Sequence, residues 1–199
     1  LILAKGGATD RRYLRVLKLR GSEYRSGEHA FKISRAGLKV WPRLQPSAGH
    51  DTRRFSQEGA MATGVDLLDA MMSNGLLRRS STVVFGPSGS GKTLLGLHFV
   101  MKGIERGEPG CIATMQESRA QLASVASSFG WDLEAAIDGG LLRLINRSPV
   151  EVGVDEFVAE LLDCRGAGPD GTAGRLMIDS VNDLAAAAQQ TARRENGRS

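Results

Sequence analysis

The sequence predicts an α/β chain in which antiparallel β-hairpin material precedes a domain with a mostly parallel sheet. From residue 61 onward, short apolar strands alternate with helical stripes, a pattern typical of a parallel sheet with right-handed crossovers. Before residue 45, three short strands follow one another with no helix between them. Residues 46–60 separate these parts and have the Pro, Gly, Ser and mixed charge of a linker.

Composition narrows the class of protein. The 199 residues are 41% hydrophobic and 24% charged, which is ordinary for a soluble globular chain. No apolar run approaches the roughly 18 residues that a membrane span needs, and the opening Leu-Ile-Leu-Ala is too short for a secretory signal. We therefore expect a cytoplasmic protein without membrane contact. The net charge of +4 permits contact with nucleic acid but does not demand it.

The first part predicts three strands. Residues 12–20 carry β-branched and aromatic side chains, residues 29–33 form a second strand, and residues 38–41 form a third that Pro42 ends.

The second part predicts strands and helices in alternation. Helices are expected at residues 65–72, at 92–105, from Ser118 to the stop at Gly130, along the apolar stripe 154–162, and at 185–190. Ser118 and Gln121 form a capping box. Strands are expected at 82–85, 110–115, 141–145 and 175–178, and residues 165–173 form a loop.

The segment between the strand at 82–85 and the next helix predicts a phosphate-binding loop. Its pattern is Gly-x-x-x-x-Gly-Lys-Thr, in which backbone N–H groups and the helix N-terminus cradle phosphate. Lys92 can reach the β- and γ-phosphates, and the Thr93 hydroxyl can ligate magnesium. The alternative is a glycine-rich turn with no ligand. The candidate ATP-binding residues are Gly86, Pro87, Ser88, Gly89, Ser90, Gly91, Lys92 and Thr93.

Two carboxylates follow apolar strands. Asp179 ends the strand Leu176-Met177-Ile178, where it can hold magnesium directly or through water. Glu117 follows the strand at 110–115 and can polarise an attacking water. Asp179 can alternatively be an ordinary strand-ending residue, and Glu117 can be an exposed charge that favours the next helix dipole.

Two cations and two thiols complete the candidate residues. A strand would send Lys18 and Arg20 to one face, where they can grip phosphate on a neighbouring subunit or form a solvated surface. Cys111 and Cys164 lie in no metal-binding pattern, so buried free thiols are favoured, and a disulfide is improbable in a reducing compartment.

The order of the motifs resembles the KaiC family of the RecA superfamily. Six segments match the start of a KaiC domain. They are Thr63-Gly64-Val65-x-x-Leu68-Asp69, Asn74-Gly75-Leu76, the phosphate loop, Glu117-Ser118, Ser128-Phe129-Gly130-Trp131 and Ile178-Asp179-Ser180. The end of a preceding KaiC domain is matched by residues 13–22, His29-x-Phe31-x-Ile33 and Trp41-Pro42-Arg43-Leu44. The resemblance implies a first-domain end at 1–45 and a RecA-like second domain at 61–199, both truncated.

The resemblance also implies an activity and an assembly. Members hydrolyse ATP with Mg²⁺ in hexameric rings, and clock members phosphorylate their own Ser and Thr residues. Lys18 and Arg20 would then reach a nucleotide bound to the first domain of the adjacent subunit, and signalling proteins would be partners. Gln116 stands where the family has a second glutamate, which predicts slow hydrolysis, and Arg79 stands at a usual glycine, which predicts a different turn. We expect the isolated 199-residue piece to bind ATP poorly and hydrolyse it barely.

Two other functions fit the same residues. A DNA-dependent recombination or helicase ATPase shares the RecA core, and stimulation by single-stranded DNA would identify it. A nucleotide-binding scaffold with little turnover is suggested by Gln116.

Overall fold

The computed structural model describes residues 2–6, 11–43, 59–148, 153–164, 174–186 and 189. The chain divides into two compact units. One contains residues 1–50, 149–160 and 182–199, and the other contains residues 51–148 and 161–181.

The first unit contains a four-stranded antiparallel sheet. Its strands, in spatial and chain order, are β1 (Ile2–Gly6), β2 (Arg11–Arg15), β3 (Glu28–Ser34) and β4 (Gly37–Trp41). Phe31 and Trp41 are buried. His29 is also buried, and its ring bonds the Arg25 carbonyl and accepts from the Arg43 N–H, which satisfies both ring nitrogens.

The prediction of a strand at residues 12–20 is wrong beyond Arg15, where β2 ends. Strand β1 was not predicted. In the β2–β3 pairing Arg15 lies opposite Glu28, the first residue of β3, so the residues after Arg15 have no partner on that strand. Alternation of apolar and charged side chains therefore continues past the point where the ladder ends.

The second unit contains helices, a short hairpin and a parallel sheet. The hairpin pairs β5 (Ala60–Met61) with β6 (Leu76–Leu77) around helix α1 (Asp66–Met71). Helix α2 (Lys92–Ile104) precedes β7 (Gly110–Thr114), and helices α3 (Arg119–Ser128) and α4 (Leu133–Asp138) precede β8 (Leu142–Asn146). Helix α5 (Val154–Cys164), of which only residues 161–164 belong to this unit, and strand β9 (Arg175–Asp179) follow, and the three strands lie in the order β8-β7-β9.

Apolar side chains of α2, α3 and α4 and the three parallel strands form the core of this unit. The fully enclosed members include Leu97, Val100 and Ile112, each 0% exposed. Gly96 lets α2 approach β9, because a Cβ atom there would lie 2.6 Å from the Met177 sulfur. The predicted α/β class with a parallel sheet is confirmed, as is the capping box of α3.

The strand predicted at residues 82–85 is absent. Residues 81–87 have no regular secondary structure, and Val83, Val84 and Phe85 are 60%, 47% and 90% exposed. A strand needs a neighbour to accept its backbone hydrogen bonds, and no described residue pairs with this segment. An apolar, β-branched run was therefore insufficient to form a strand.

The remaining outcomes concern helices, a loop and the linker. Helix α4 was missed, although Asp132 accepts the Ala135 N–H as an N-cap. Of the helix predicted at 185–190, residues 185, 186 and 189 are described and are helical, and the helical backbone begins earlier, at residue 181. The predicted loop at 165–173 lies outside the described residues, as does all of the predicted linker at 46–60 except residues 59 and 60.

Candidate nucleotide site

The carboxyl ends of the three parallel strands lie at one edge of the sheet. Thr114 at the end of β7 is in register with Asn146 on β8 and with Asp179 on β9. The backbone continues this alignment, because the Met115 N–H donates to the Asp179 carbonyl at 2.8 Å and the Arg147 N–H to the Thr114 carbonyl at 3.1 Å. Ligands of open parallel sheets bind at this edge.

The glycine-rich loop leads directly into the N-terminus of α2. Gly89 and Gly91 have φ values of 77° and 87°, in the left-handed region that favours glycine. A Cβ atom at either position would meet nothing within 4 Å, so these glycines are explained by backbone conformation rather than by crowding. Gly86 differs, because a Cβ there would lie 2.6 Å from the Ser90 hydroxyl.

Lys92 folds back across this loop. Its Nζ donates to the carbonyl oxygens of Gly86 at 3.0 Å and Pro87 at 2.7 Å. These bonds place the ammonium group beside the first two residues of the motif. The cation is therefore held where a phosphate bound by the loop would need compensation of its charge.

Thr93 and Asp179 meet although they are far apart in sequence. The Thr93 hydroxyl donates to Asp179 Oδ2 at 2.6 Å, across a separation of 86 residues. A hydroxyl and a carboxylate are hard oxygen donors, the type that Mg²⁺ prefers alongside water and phosphate. Their adjacency fits one magnesium ion. Among the described residues, no group of three His, Cys, Asp or Glu side chains is placed to hold a metal by itself.

Glu117 lies in the loop between β7 and α3, and its backbone is fixed from two sides. Its N–H donates to Thr114 Oγ1 at 3.0 Å, and its carbonyl accepts from Asn146 Nδ2 at 2.6 Å. The neighbouring Gln116 is exposed, and its amide contacts the Ser180 hydroxyl at 3.5 Å. The residue that stands at the position of a family glutamate thus faces the residue that follows Asp179.

Asn146, Thr114 and Ser180 were missed as site residues in the sequence. A signal for Asn146 and Thr114 existed, because each lies within one residue of the end of a predicted parallel strand and such ends share one edge. Their hydrogen bonds to the Glu117 backbone require the three-dimensional register, which no local pattern encodes.

Lys18 and Arg20 belong to the first unit, whereas the glycine-rich loop belongs to the second. Both are exposed, in a segment that follows the end of β2. The argument that a strand sends them to one face is wrong, because residues 16–20 form no strand. Their role stays a prediction.

None of the helices within the described part of the chain has the length and apolar character needed to cross a bilayer.

The family model and the similar proteins all point to the same family. The family model described as "ATPase: KaiC" matches residues 61–197. A circadian clock oscillator protein KaiC of Picosynechococcus is 34% identical over 90% of this chain and 33% of its own length. KaiC of Acaryochloris marina is 32% identical, and KaiC of Thermostichus vulcanus is 34% identical, each over 95% of this chain and 35% of its own length. The chain therefore spans about a third of the length of these relatives.

Proposed function

Because the chain belongs to the KaiC family of ATPases, we propose that residues 86–93 bind the phosphates of ATP and that Thr93 and Asp179 hold the accompanying Mg²⁺. The observation that carries the proposal is the 2.6 Å hydrogen bond between Thr93 and Asp179. It joins the two oxygen donors that the sequence assigned independently to one metal ion. The left-handed Gly89 and Gly91 and the helix N-terminus behind them add the backbone of a phosphate cradle.

Lys92 and Glu117 have different roles in the proposed hydrolysis. Lys92 compensates charge on the β- and γ-phosphates, and the carboxylate of Glu117 orients and polarises the attacking water. Bound Mg²⁺ supplies Lewis-acid stabilisation of the phosphoryl oxygens. Gln116 cannot accept a proton, so the general-base role falls to Glu117 alone and turnover is slow. The anchored backbone of Glu117 supports this assignment, since a positioned base needs a fixed support.

Replacement of Lys92 tests the phosphate site. We expect Lys92→Ala to weaken binding of a fluorescent ATP analogue with Mg²⁺ by at least about tenfold, because the loop loses its cation. The matched control is Lys102→Ala, which removes a lysine from the last turn of the same helix, where it pairs with Glu105. Titration by fluorescence anisotropy provides the affinities.

The proposal fails if Lys92→Ala and Lys102→Ala bind the analogue with affinities within about twofold of each other. Circular dichroism of each variant separates a lost contact from a lost fold. Omitting Mg²⁺ from the titration, in the parent chain and in Asp179→Asn, shows whether the carboxylate acts through the metal.

We further propose assembly and phosphoryl transfer. The resemblance to the KaiC family supports a hexameric ring in which Lys18 and Arg20 contact the nucleotide bound to the first domain of a neighbour, and their exposure fits this role. It also supports transfer of the γ-phosphoryl group to Ser or Thr hydroxyls in signalling. Incorporation of label from γ-labelled ATP into the protein tests the transfer, and absence of label with intact ATP binding rejects it.

A further inference from the structure

Two cysteine thiols that the nucleotide site does not use meet inside the second unit. Cys111 lies on β7, and Cys164 is the last residue of α5. Their sulfur atoms are 2.9 Å apart although 53 residues separate them in sequence. Both are free thiols and both are buried, at 4% and 7% exposure.

The position of the pair relates it to the sheet that carries the site. Cys111 lies in the central strand and is in register with Leu176 of β9 and Arg143 of β8. Thr114, three residues further along β7, lies opposite Asp179. Cys164 ends the helix that precedes β9 in the chain. A bond between the two sulfurs would therefore join the central strand to the chain that leads into the Asp179 strand.

We propose that Cys111 and Cys164 are a redox modification site, which forms a reversible intrachain disulfide in the presence of a small-molecule disulfide. Packing holds the sulfurs in contact, so the second step of the exchange is intramolecular and has a high effective concentration. The inference is independent of nucleotide binding, because neither thiol takes part in the proposed phosphate or metal contacts.

The exchange proceeds in two balanced steps. The thiolate of Cys164, the more exposed of the two, attacks one sulfur of the small disulfide, forms a mixed disulfide and releases one small thiol. The thiolate of Cys111 then attacks the Cys164 sulfur and displaces the second small thiol. Two electrons and two protons pass from the protein to the oxidant, which becomes two thiols.

Burial limits the rate of this chemistry. Burial and the adjacent Cys164 thiol raise the pKa of Cys111 well above its usual value, although the Arg143 guanidinium acts in the opposite direction. Little thiolate exists at neutral pH as a result, and the neutral thiol is a poor nucleophile. Oxidation of the pair is therefore slow and requires a sustained oxidising poise.

Glutathione redox buffers test the proposal on the intact 199-residue chain. We expect the oxidised monomer to lose the mass of two hydrogen atoms and both alkylatable thiols, and dithiothreitol to restore them. The disulfide would close a loop between residues that are 53 positions apart, and this is expected to raise Tm by about 10 °C relative to the reduced chain. Cys111→Ala and Cys164→Ala should show neither the mass loss nor an oxidation-dependent rise in Tm.

Equilibrium must be approached from both sides, by oxidising the reduced chain and by refolding in the oxidising buffer. The inference is overturned if both routes leave two free thiols, if they yield only glutathione adducts, or if the cross-links join different chains. Comparison of the oxidised and reduced parent chain needs no variant, so a variant that fails to fold does not obscure the result.

Discussion

At the scale of single residues, Arg79 occupies a backbone conformation that suits glycine. Its φ is 58°, in the left-handed region, and it lies in the turn after β6 where the Ser80 hydroxyl donates to the Leu77 carbonyl. The resemblance to the KaiC family had marked Arg79 as a departure from glycine. A non-glycine residue in this region costs about 1–2 kcal/mol, so the side chain adds strain just before the segment that leads to the phosphate loop.

Replacing Arg79 by glycine is therefore expected to stabilise the chain. The relief of strain is offset by glycine's greater conformational entropy when unfolded, which leaves a gain of about 0.5–1 kcal/mol in the free energy of unfolding. Urea denaturation provides the measurement. Arg78→Gly is the matched control, since Arg78 has no positive φ and pairs with Glu108 at 3.5 Å. Equal destabilisation by both substitutions would contradict the interpretation of strain.

At the scale of elements, a carboxylate on α1 fixes the segment that follows β5. Asp69 Oδ1 accepts both the N–H and the hydroxyl of Thr63 at 2.7 Å, and Oδ2 accepts the Gly64 N–H at 3.3 Å. Partial burial acts to raise the pKa of Asp69, but these hydrogen bonds outweigh it and hold the pKa below its usual value. The short helix is thereby attached to a buried threonine.

Asp69→Asn is expected to lower the free energy of unfolding by about 1–3 kcal/mol, because the amide supplies one acceptor oxygen where the carboxylate supplies two. The native pKa lies below that of the unfolded chain, so the charged form stabilises the fold. This contribution is complete above the unfolded pKa of about 4 and is lost as pH falls through the native pKa.

Denaturation at neutral and acidic pH measures this effect. The difference between the parent chain and Asp69→Asn should shrink as the pH falls below about 4. Asp66→Asn serves as the control, because Asp66 is an exposed acid in the first turn of the same helix. A pH-independent difference for Asp69→Asn would show that the carboxylate charge is not the cause.

Arg175 shows how buried polarity joins elements of the second unit. Its side chain is fully buried at the start of β9, where Nε donates to Glu108 at 2.7 Å and Nη1 donates to the carbonyls of Ala62 and Phe99. The guanidinium also lies 4.7 Å from the centre of the Phe99 ring. Strand β9 is thereby connected to α2 and to the segment after β5, which fixes the strand that ends at Asp179.

At the scale of the whole molecule, the proposed role of Lys18 and Arg20 requires a second copy of the chain. In a protein that carries the complete first domain, a neighbour that supplies these cations to the nucleotide of that domain should make the apparent ATP affinity rise with protein concentration. Lys18→Ala with Arg20→Ala is expected to remove that dependence. Titration of ATP at several protein concentrations measures it.

The control for the cation pair is Lys32→Ala with Arg35→Ala, which removes two exposed cations from the same unit. This double variant should retain the concentration dependence of the parent chain. An unchanged dependence in the Lys18 and Arg20 variant would contradict a contribution in trans. The proposal that residues 86–93 bind phosphate does not depend on this result.

The sequence by itself determined the helices and strands whose signals are local. The capping box of α3, the periodicity of α2 and the glycine pattern before Lys92 each depend on residues a few positions apart, so they could be predicted. The identity of Thr93 and Asp179 as partners also followed from pattern, although their 2.6 Å contact did not.

Only the tertiary structure decided which strands find neighbours and which distant side chains meet. Residues 82–85 have the composition of a strand but no partner among the described residues, whereas β9 forms because β7 accepts its backbone bonds. The same holds for the contact of Cys111 with Cys164 and for the support of Glu117 by Asn146. Sheet register and packing are non-local, because they depend on the relative placement of elements that lie tens of residues apart.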